Sequence, residues 1–194
     1  MKLIIVRHGE TLWNKKNKLQ GKTDNSLSKI GLQQARNIAK MLSSEKIDLI
    51  YTSKLKRAVS TATEIKRFHK NIKLIKDKAL NEMSWGAWEG LRWEDVKKRY
   101  KNLYAKREKD KFNFKAPKGE GLKILKARLK KFLSKLYRNK NKAILIVGHL
   151  NVNRVILGTL LKLSDEKLPS IKFANDSVTI LSLKNKTRIA FNRN

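Results

Sequence analysis

A chain of 194 residues with 40% hydrophobic side chains is long enough for one cored domain, and residues 1–194 are expected to fold as one. It has no cysteine, which excludes disulfides and thiolate metal sites, and its apolar runs are too short for a membrane span or a signal segment, so a soluble cytoplasmic protein is expected. Against 16 acids stand 47 lysines and arginines, a formal +31, with 19 basic and 3 acidic residues between positions 97 and 142; such a field attracts small polyanions, nucleic acid or anionic surfaces, and a solvated lysine-rich surface produces it equally well.

Residues 3–6, LIIV, form an apolar run that reads as a buried parallel strand and stops at Arg7, His8 and Gly9. In open α/β sheets ligands bind off the carboxyl ends of strands. There Arg7 offers a fixed fork of donors, His8 a nitrogen that can act as base or nucleophile, and Gly9 a turn through which backbone can approach an anion. Residues 14–27 read as a polar loop containing Gln20, Gly21 and Asp24, after which Ser28 caps a helix with Leu32, Ala35, Ile38, Ala39 and Leu42 on one face. A short strand at 47–51 completes a right-handed β-α-β unit. Thr52 or Ser53 is expected to cap the next helix, whose core stripe is Leu55, Ala58, Val59, Ala62 and Ile65; Arg57 then falls in its first turn, at a strand's carboxyl end.

Residues 72–75 suggest an edge strand, flanked by Lys73 and Lys76. The stretch 80–90, LNEMSWGAWEG, reads as an ordered loop, with Glu89 expected to pair with one of the many lysines. Residues 92–104 are expected to be helical and 109–119, with Pro117, to form a loop or flexible cap, so that about 91–119 make a lysine-rich cap. A helix over 120–137 carries the stripe Leu122, Leu125, Leu129, Phe132 and Leu136. The second strongly buried strand, 143–147, ends at Gly148 and His149, and a helix over about 152–161 follows. Residues 177–183 and 187–191 close the chain as a hairpin turning at Lys184 and Asn185. The fold class is α/β, a three-layer sandwich with a mostly parallel central sheet and helices on both faces.

Only three histidines occur, and two of them directly follow the two most apolar strands. If those strands lie side by side, His8 and His149 face one crevice with Arg7 and Arg57. His69, in KRFHKN, is expected to be an exposed residue at a helix end. A metal held by His8 and His149 is the competing reading, but the arginines would repel a cation and Asp or Glu ligands beside the pair are not evident, so an anion is preferred.

Taken together these segments resemble the histidine phosphatase superfamily, which includes cofactor-dependent phosphoglycerate mutases and many small phosphatases. The resemblance runs in order through RHGET at 7–11, Asn14, QGKTDNSLSKIGLQQA at 20–35, TSKLKRAVSTA at 52–62, LNEMSWGAWEG at 80–90, VGH at 147–149 and the Asn-Asp pair before the final hairpin. It implies that His8 is the nucleophile that becomes a phosphohistidine, that Arg7, Arg57 and His149 hold the phosphoryl group, and that Glu82 is the proton donor. It also implies substrate contacts from Asn14, Gln20 and Gly21, no metal and no cofactor, and a small anionic phosphorylated substrate. Two positions depart from the family pattern. Lys118, Gly119, Glu120 and Gly121 stand where the family usually has Gly-Gly-Glu-Ser, and Leu150 and Asn151 follow the second histidine where glycine is usual. The first bears on capping of the following helix, the second on the pocket floor.

The reading implied is a metal-independent phosphomonoesterase of the small broad-specificity branch. A phosphoglycerate mutase is the alternative within the family. The interval between Gly90 and Glu120 holds only about 29 residues, many charged, and Gly21 is followed by Lys22 where the mutases resemble one another in a Gly-Trp pair, so a sealed lid is not expected. A basic nucleic-acid-binding protein on the same scaffold is the alternative of another class; with few aromatics outside Trp85, Trp88 and Trp93, only non-specific binding is expected.

Overall fold

The computed structural model describes residues 1–139, 142–182 and 187–192. A six-stranded sheet runs in the order β3-β2-β4-β1-β5-β6, where β1 is Lys2–Arg7, β2 Leu49–Thr52, β3 Leu74–Lys76, β4 Ala143–Gly148, β5 Ser177–Ser182 and β6 Thr187–Asn192. β1, β2, β3 and β4 are mutually parallel, while β5 runs antiparallel to both β1 and β6. The two most apolar strands are thus central neighbours, with Val6 opposite Val147 and Arg7 opposite Gly148. That register brings the two histidines to the same edge of the sheet. The turn expected at Lys184 and Asn185 lies outside the described residues.

Alternation along the central strands feeds two cores, because successive side chains point to opposite faces. Leu3, Ile5, Tyr51, Ile144 and Ile146 pack under α6 (Leu122–Arg138) and α7 (Leu150–Leu160). Ile4, Val6, Ile50, Leu145 and Val147 pack under α2 (Lys29–Met41) and α3 (Lys56–Lys66). Helices cover both faces, as the alternation of helical and strand patterns predicts. β3 is an edge strand shifted to 74–76, and the stripe of α6 is buried at all five of its predicted positions.

Several boundaries differ from expectation for physical reasons. Ser28 does cap α2, accepting from Gly31 N at 3.0 Å. Neither Thr52 nor Ser53 caps α3: Thr52 Oγ1 donates to Val147 O, and Ser53 Oγ is engaged by His149 Nε2 at 2.7 Å. Asp24 supplies the missing acceptor from the 14–27 loop, taking a bond from Lys56 N at 2.7 Å. Helix α6 starts at Leu122 with Gly121 as a cap residue that has no side chain to cap with; a Cβ there would lie 2.3 Å from Phe114 O, so the backbone approach requires glycine. The region 92–104 is two helices, α4 (Trp93–Arg99) and α5 (Lys101–Lys109), broken where Tyr100 leaves helical geometry and packs against Trp88 at 5.9 Å. The lysine-rich segment also has a core of its own. Trp88, fully buried, sits among Trp85, Trp93, Tyr100 and Phe114, with Leu19, Val96 and Ala116.

Candidate active site

At the carboxyl ends of β1 and β4 the chain encloses a cavity of about 520 Å³. Seven of the eight residues singled out from sequence line it: Arg7, His8, Asn14, Gln20, Gly21, Arg57 and Glu82. His149 does not. It is fully buried behind His8, with the two rings 5.0 Å apart.

Each side chain is fixed by backbone from another element. His8 N donates to Gly148 O at 3.1 Å, and the amide of Asn175 holds His8 O at 2.6 Å. The ring nitrogen Nδ1 of His8 lies 2.7 Å from Gly9 O; a carbonyl can only accept, so the proton belongs on Nδ1 and the Nε2 lone pair is free. Gly9 is pinned in turn by its N–H to Thr61 Oγ1 at 3.1 Å. Ser53 Oγ already accepts from Leu55 N, so its hydroxyl hydrogen can go to His149 Nε2, leaving the buried, unpartnered His149 Nδ1 as a donor. Arg57, fully buried, donates from Nη1 to Thr23 O and from Nη2 to Gly21 O, both at 2.8 Å, and Arg7 Nη1 donates to Phe173 O at 3.0 Å. The Nε groups of both arginines are buried without a partner. Orphaned buried donors are costly unless something takes them up, and an anion would. Asn14 is oriented by helix α1 (Leu12–Lys15): its Oδ1 accepts from Thr11 N at 3.1 Å in a reciprocal capping box, leaving its amide N–H groups uncommitted to the cap.

Electrostatics follow from burial and these neighbours. Burial, then Arg7 and Arg57, hold the His8 pKa well below the usual histidine value, so the ring is neutral. His149 is lowered likewise by burial, Arg57 and His8. Arg7 itself is brought down to about 10 by burial and remains charged at neutral pH. Glu82 is raised, chiefly by burial, although Met83 N at 2.8 Å, Arg57, Asn151 N at 3.3 Å and Arg7 all favour its ionised form. Asn151 N lies in the first turn of α7, so the departure at 150–151 does reach the site: Leu150 and Asn151 both line the cavity. Among the described residues no group of three His, Asp or Glu side chains is placed to hold a metal ion.

Spacing did not predict the remaining lining residues: Lys18 and Leu19 from the 14–27 loop, Trp85 from the 80–90 loop, Trp93, Tyr104 and Arg107 from the cap, and Arg154 from α7. Arg107 lies over the Trp93 ring at 4.3 Å, and Arg154 is tied to Ile171 O at 2.7 Å and Asn151 Oδ1 at 3.1 Å. The only signal available for them was their place near aromatic or helical segments, which does not separate pocket from core. Glu89 also differs from expectation: its partners are Lys22 N, Thr23 N, Thr23 Oγ1, Ser84 Oγ and Trp85 N, all backbone or hydroxyl donors. His69, expected to be exposed, is half-buried with Nε2 at 3.0 Å from Leu42 O.

A neutral imidazole with a free lone pair, set between fixed cations and opposite a carboxyl pushed toward its protonated form, belongs to the phosphoryl-transfer enzymes. The model of the histidine phosphatase superfamily (branch 1) matches residues 3–192, and the chain belongs to that family and is a phosphatase of that type. It is 32% identical over 195 residues to phosphoserine phosphatase 1 of Hydrogenobacter thermophilus, covering 100% of this chain and 92% of that protein. It is 33% identical over 172 residues to the 6-phosphofructo-2-kinase/fructose-2,6-bisphosphatase of Gallus gallus, a match spanning 88% of this chain but 35% of that longer protein. Among solved structures, the alpha-ribazole phosphatase from Shigella flexneri superposes with a TM-score of 0.87 at 25% identity over 97% of this chain and 93% of that one. No helix among the described residues is long and apolar enough to cross a membrane.

Proposed function

We propose that this protein hydrolyses small phosphomonoesters in two steps, with His8 as nucleophile and Glu82 as the proton shuttle. The observation that carries the proposal is the 2.7 Å contact of His8 Nδ1 with Gly9 O, which leaves Nε2 unprotonated between Arg7 and Arg57. In the first step the Nε2 lone pair forms a bond to phosphorus, the phosphorus–ester oxygen bond breaks, and the proton of Glu82 goes to the departing oxygen. In the second, water attacks phosphorus, its proton returns to the Glu82 carboxylate, the phosphorus–nitrogen bond breaks and phosphate leaves. Arg7 and Arg57 meet the charge spread over the equatorial oxygens from the cavity wall, and His149, behind His8, offers its unpartnered Nδ1–H from the second layer, so the positive field a metal could bring is built into the chain. Asn14, Gln20 and Gly21 contact the substrate.

The chain acts as a single domain in which residues 91–119 serve as cap. Its substrates are small phosphorylated metabolites; phosphoserine and alpha-ribazole phosphate, suggested by the names of relatives, are the first to test. A cytoplasmic location, and nucleic-acid binding limited to non-selective charge attraction, belong to the same reading.

Hydrolysis is favoured over mutase action by the polar side chains Lys18, Gln20, Arg107 and Arg154 around the cavity, which admit water to the intermediate. The cap is less polar inside than its lysine content implies, and three members of its aromatic cluster, Trp85, Trp93 and Tyr104, share the cavity wall with those polar side chains. The test supplies a panel of phosphomonoesters in the presence of a chelator and follows phosphate release beside interconversion of 2- and 3-phosphoglycerate. Phosphate release from several esters without a bisphosphoglycerate primer is expected. Primer-dependent isomerisation much faster than release would overturn the hydrolase assignment.

A further inference from the structure

We propose that Glu89 is a positioning residue that holds the Gly21–Thr23 loop, and through it the Arg57 guanidinium, in register with the segment carrying Glu82. The inference rests on the phosphatase reading above and concerns a side chain outside the cavity wall.

Glu89 accepts five hydrogen bonds from two separate stretches of chain. Lys22 N and Thr23 N, both at 3.0 Å, and Thr23 Oγ1 at 2.5 Å come from the loop; Ser84 Oγ at 3.0 Å and Trp85 N at 3.1 Å come from the residues just after Glu82. A carboxylate has about four lone-pair sites, so both its oxygens are filled. The hydrogen bonds from Thr23, Lys22 and Ser84 outweigh partial burial and hold its pKa below the usual carboxylate value, so it is ionised when it makes them.

The loop it grips is the one that clamps Arg57. Thr23 O and Gly21 O each accept from a different terminal nitrogen of that guanidinium at 2.8 Å, and two fixed acceptors define its plane. Those two bonds use two of the five guanidinium N–H donors, so the unpartnered Nε–H and the second N–H of each terminal nitrogen are left for an anion. Gly21 shows how tightly the parts meet. It has a positive φ of 53°, and a Cβ there would lie 2.1 Å from Glu89 Oε1 and 2.8 Å from Trp85 N. Loop, carboxylate and the Ser84–Trp85 backbone therefore form one junction. Without Glu89 the donors of Lys22, Thr23, Ser84 and Trp85 lose their common acceptor, and the loop carbonyls that orient Arg57 are no longer tied to the other wall of the site.

Acting through Arg57, Glu89 serves the phosphoryl group and not the departing oxygen. Glu89→Gln puts an amide N–H₂ against N–H and O–H donors, and Thr23→Val removes the 2.5 Å bond while keeping side-chain shape. Both are measured against wild type for inorganic phosphate affinity by titration calorimetry, kcat and KM on an alkyl and an activated aryl phosphate, and the urea midpoint. The expected result is a loss of kcat/KM of about 100-fold for Glu89→Gln and about 10-fold for Thr23→Val, a displacement of the size that misplacing a reacting group produces. The loss should be equal on the two ester types and accompanied by weaker phosphate binding. Unchanged phosphate affinity and kcat per folded molecule, with only the urea midpoint lowered, would overturn the proposal in favour of a purely structural Glu89. A loss confined to the alkyl ester would overturn it by placing the effect on Glu82. Phosphate binding needs no turnover, so it separates failure of this inference from failure of the phosphatase reading, which shows as a wild type that binds phosphate and hydrolyses neither ester.

Discussion

Glu82 and His8 are pushed in opposite directions by the same surroundings, and the pH dependence of catalysis follows. Burial raises the carboxyl and lowers the imidazole. The reactive state has His8 neutral and Glu82 protonated. Activity on alkyl phosphates should therefore fall as pH rises through the raised Glu82 pKa, while acid inhibition through His8 sets in only well below its ordinary value of about 6.5. Glu82→Gln should slow alkyl phosphates by roughly 100-fold to 10,000-fold and activated aryl phosphates far less, and should flatten the alkaline limb. Equal losses on both esters would make Glu82 structural. At this scale much was legible, because Arg7, His8, Arg57 and His149 sit at ends of strongly apolar strands or in the turn that follows one. Glu89 was not, since three of its five bonds come from Lys22 and Thr23, dozens of residues away, and the two from Ser84 and Trp85 come from a hydroxyl and a backbone N–H, none of which leaves a mark in local spacing. Nor were Arg107, which looks like any other basic side chain on a lysine-rich helix, and Arg154, the one charged residue of the otherwise uncharged α7.

Elements were predictable where a buried stripe fixed them and less so where tertiary contacts chose among options. α6 and β4 read directly from their apolar pattern. The break at Tyr100 did not, because the sequence KKRYKNLYAKREK contains neither glycine nor proline, and the feature found at the break is the packing of Tyr100 on Trp88. Ser53 offered a cap to α3 and gives its hydroxyl to His149, while Asp24 caps from afar; a local rule fails there because the site uses the side chain. Trp88 is the centre of the cap's core, and Trp88→Ala should cost about 3 kcal/mol or more of stability by leaving an aromatic-sized cavity. Since Trp85 and Trp93 pack on it and also line the active cavity, KM should rise together with the loss in urea midpoint. A change in KM at unaltered stability would mean that the cap does not depend on this core.

For the molecule as a whole, the +31 charge is a property of the field and leaves the fold alone. Its effect should appear in encounter with small anions. Raising ionic strength should lower kcat/KM markedly while kcat changes little, because screening acts over about 8 Å at physiological salt and the buried chemistry lies beyond it. Binding to duplex and single-stranded oligonucleotides should weaken over the same salt range without sequence preference. Tight, selective binding at physiological salt would instead make nucleic acid a partner. The mostly parallel sheet and the coverage of both faces follow from the alternation of strand and helix patterns, whereas the sheet order and the neighbouring of β1 and β4, only a condition in the sequence, are set by tertiary pairing.

The central claim is that a phosphoryl group passes through His8. Rapid mixing with a phosphate-labelled ester, followed by a denaturing quench, tests it directly. The account predicts label on the protein that is lost in acid and survives in base, absent from His8→Ala, whose turnover is also abolished. Turnover by His8→Ala at the wild-type rate, or label that persists in that variant, would contradict it.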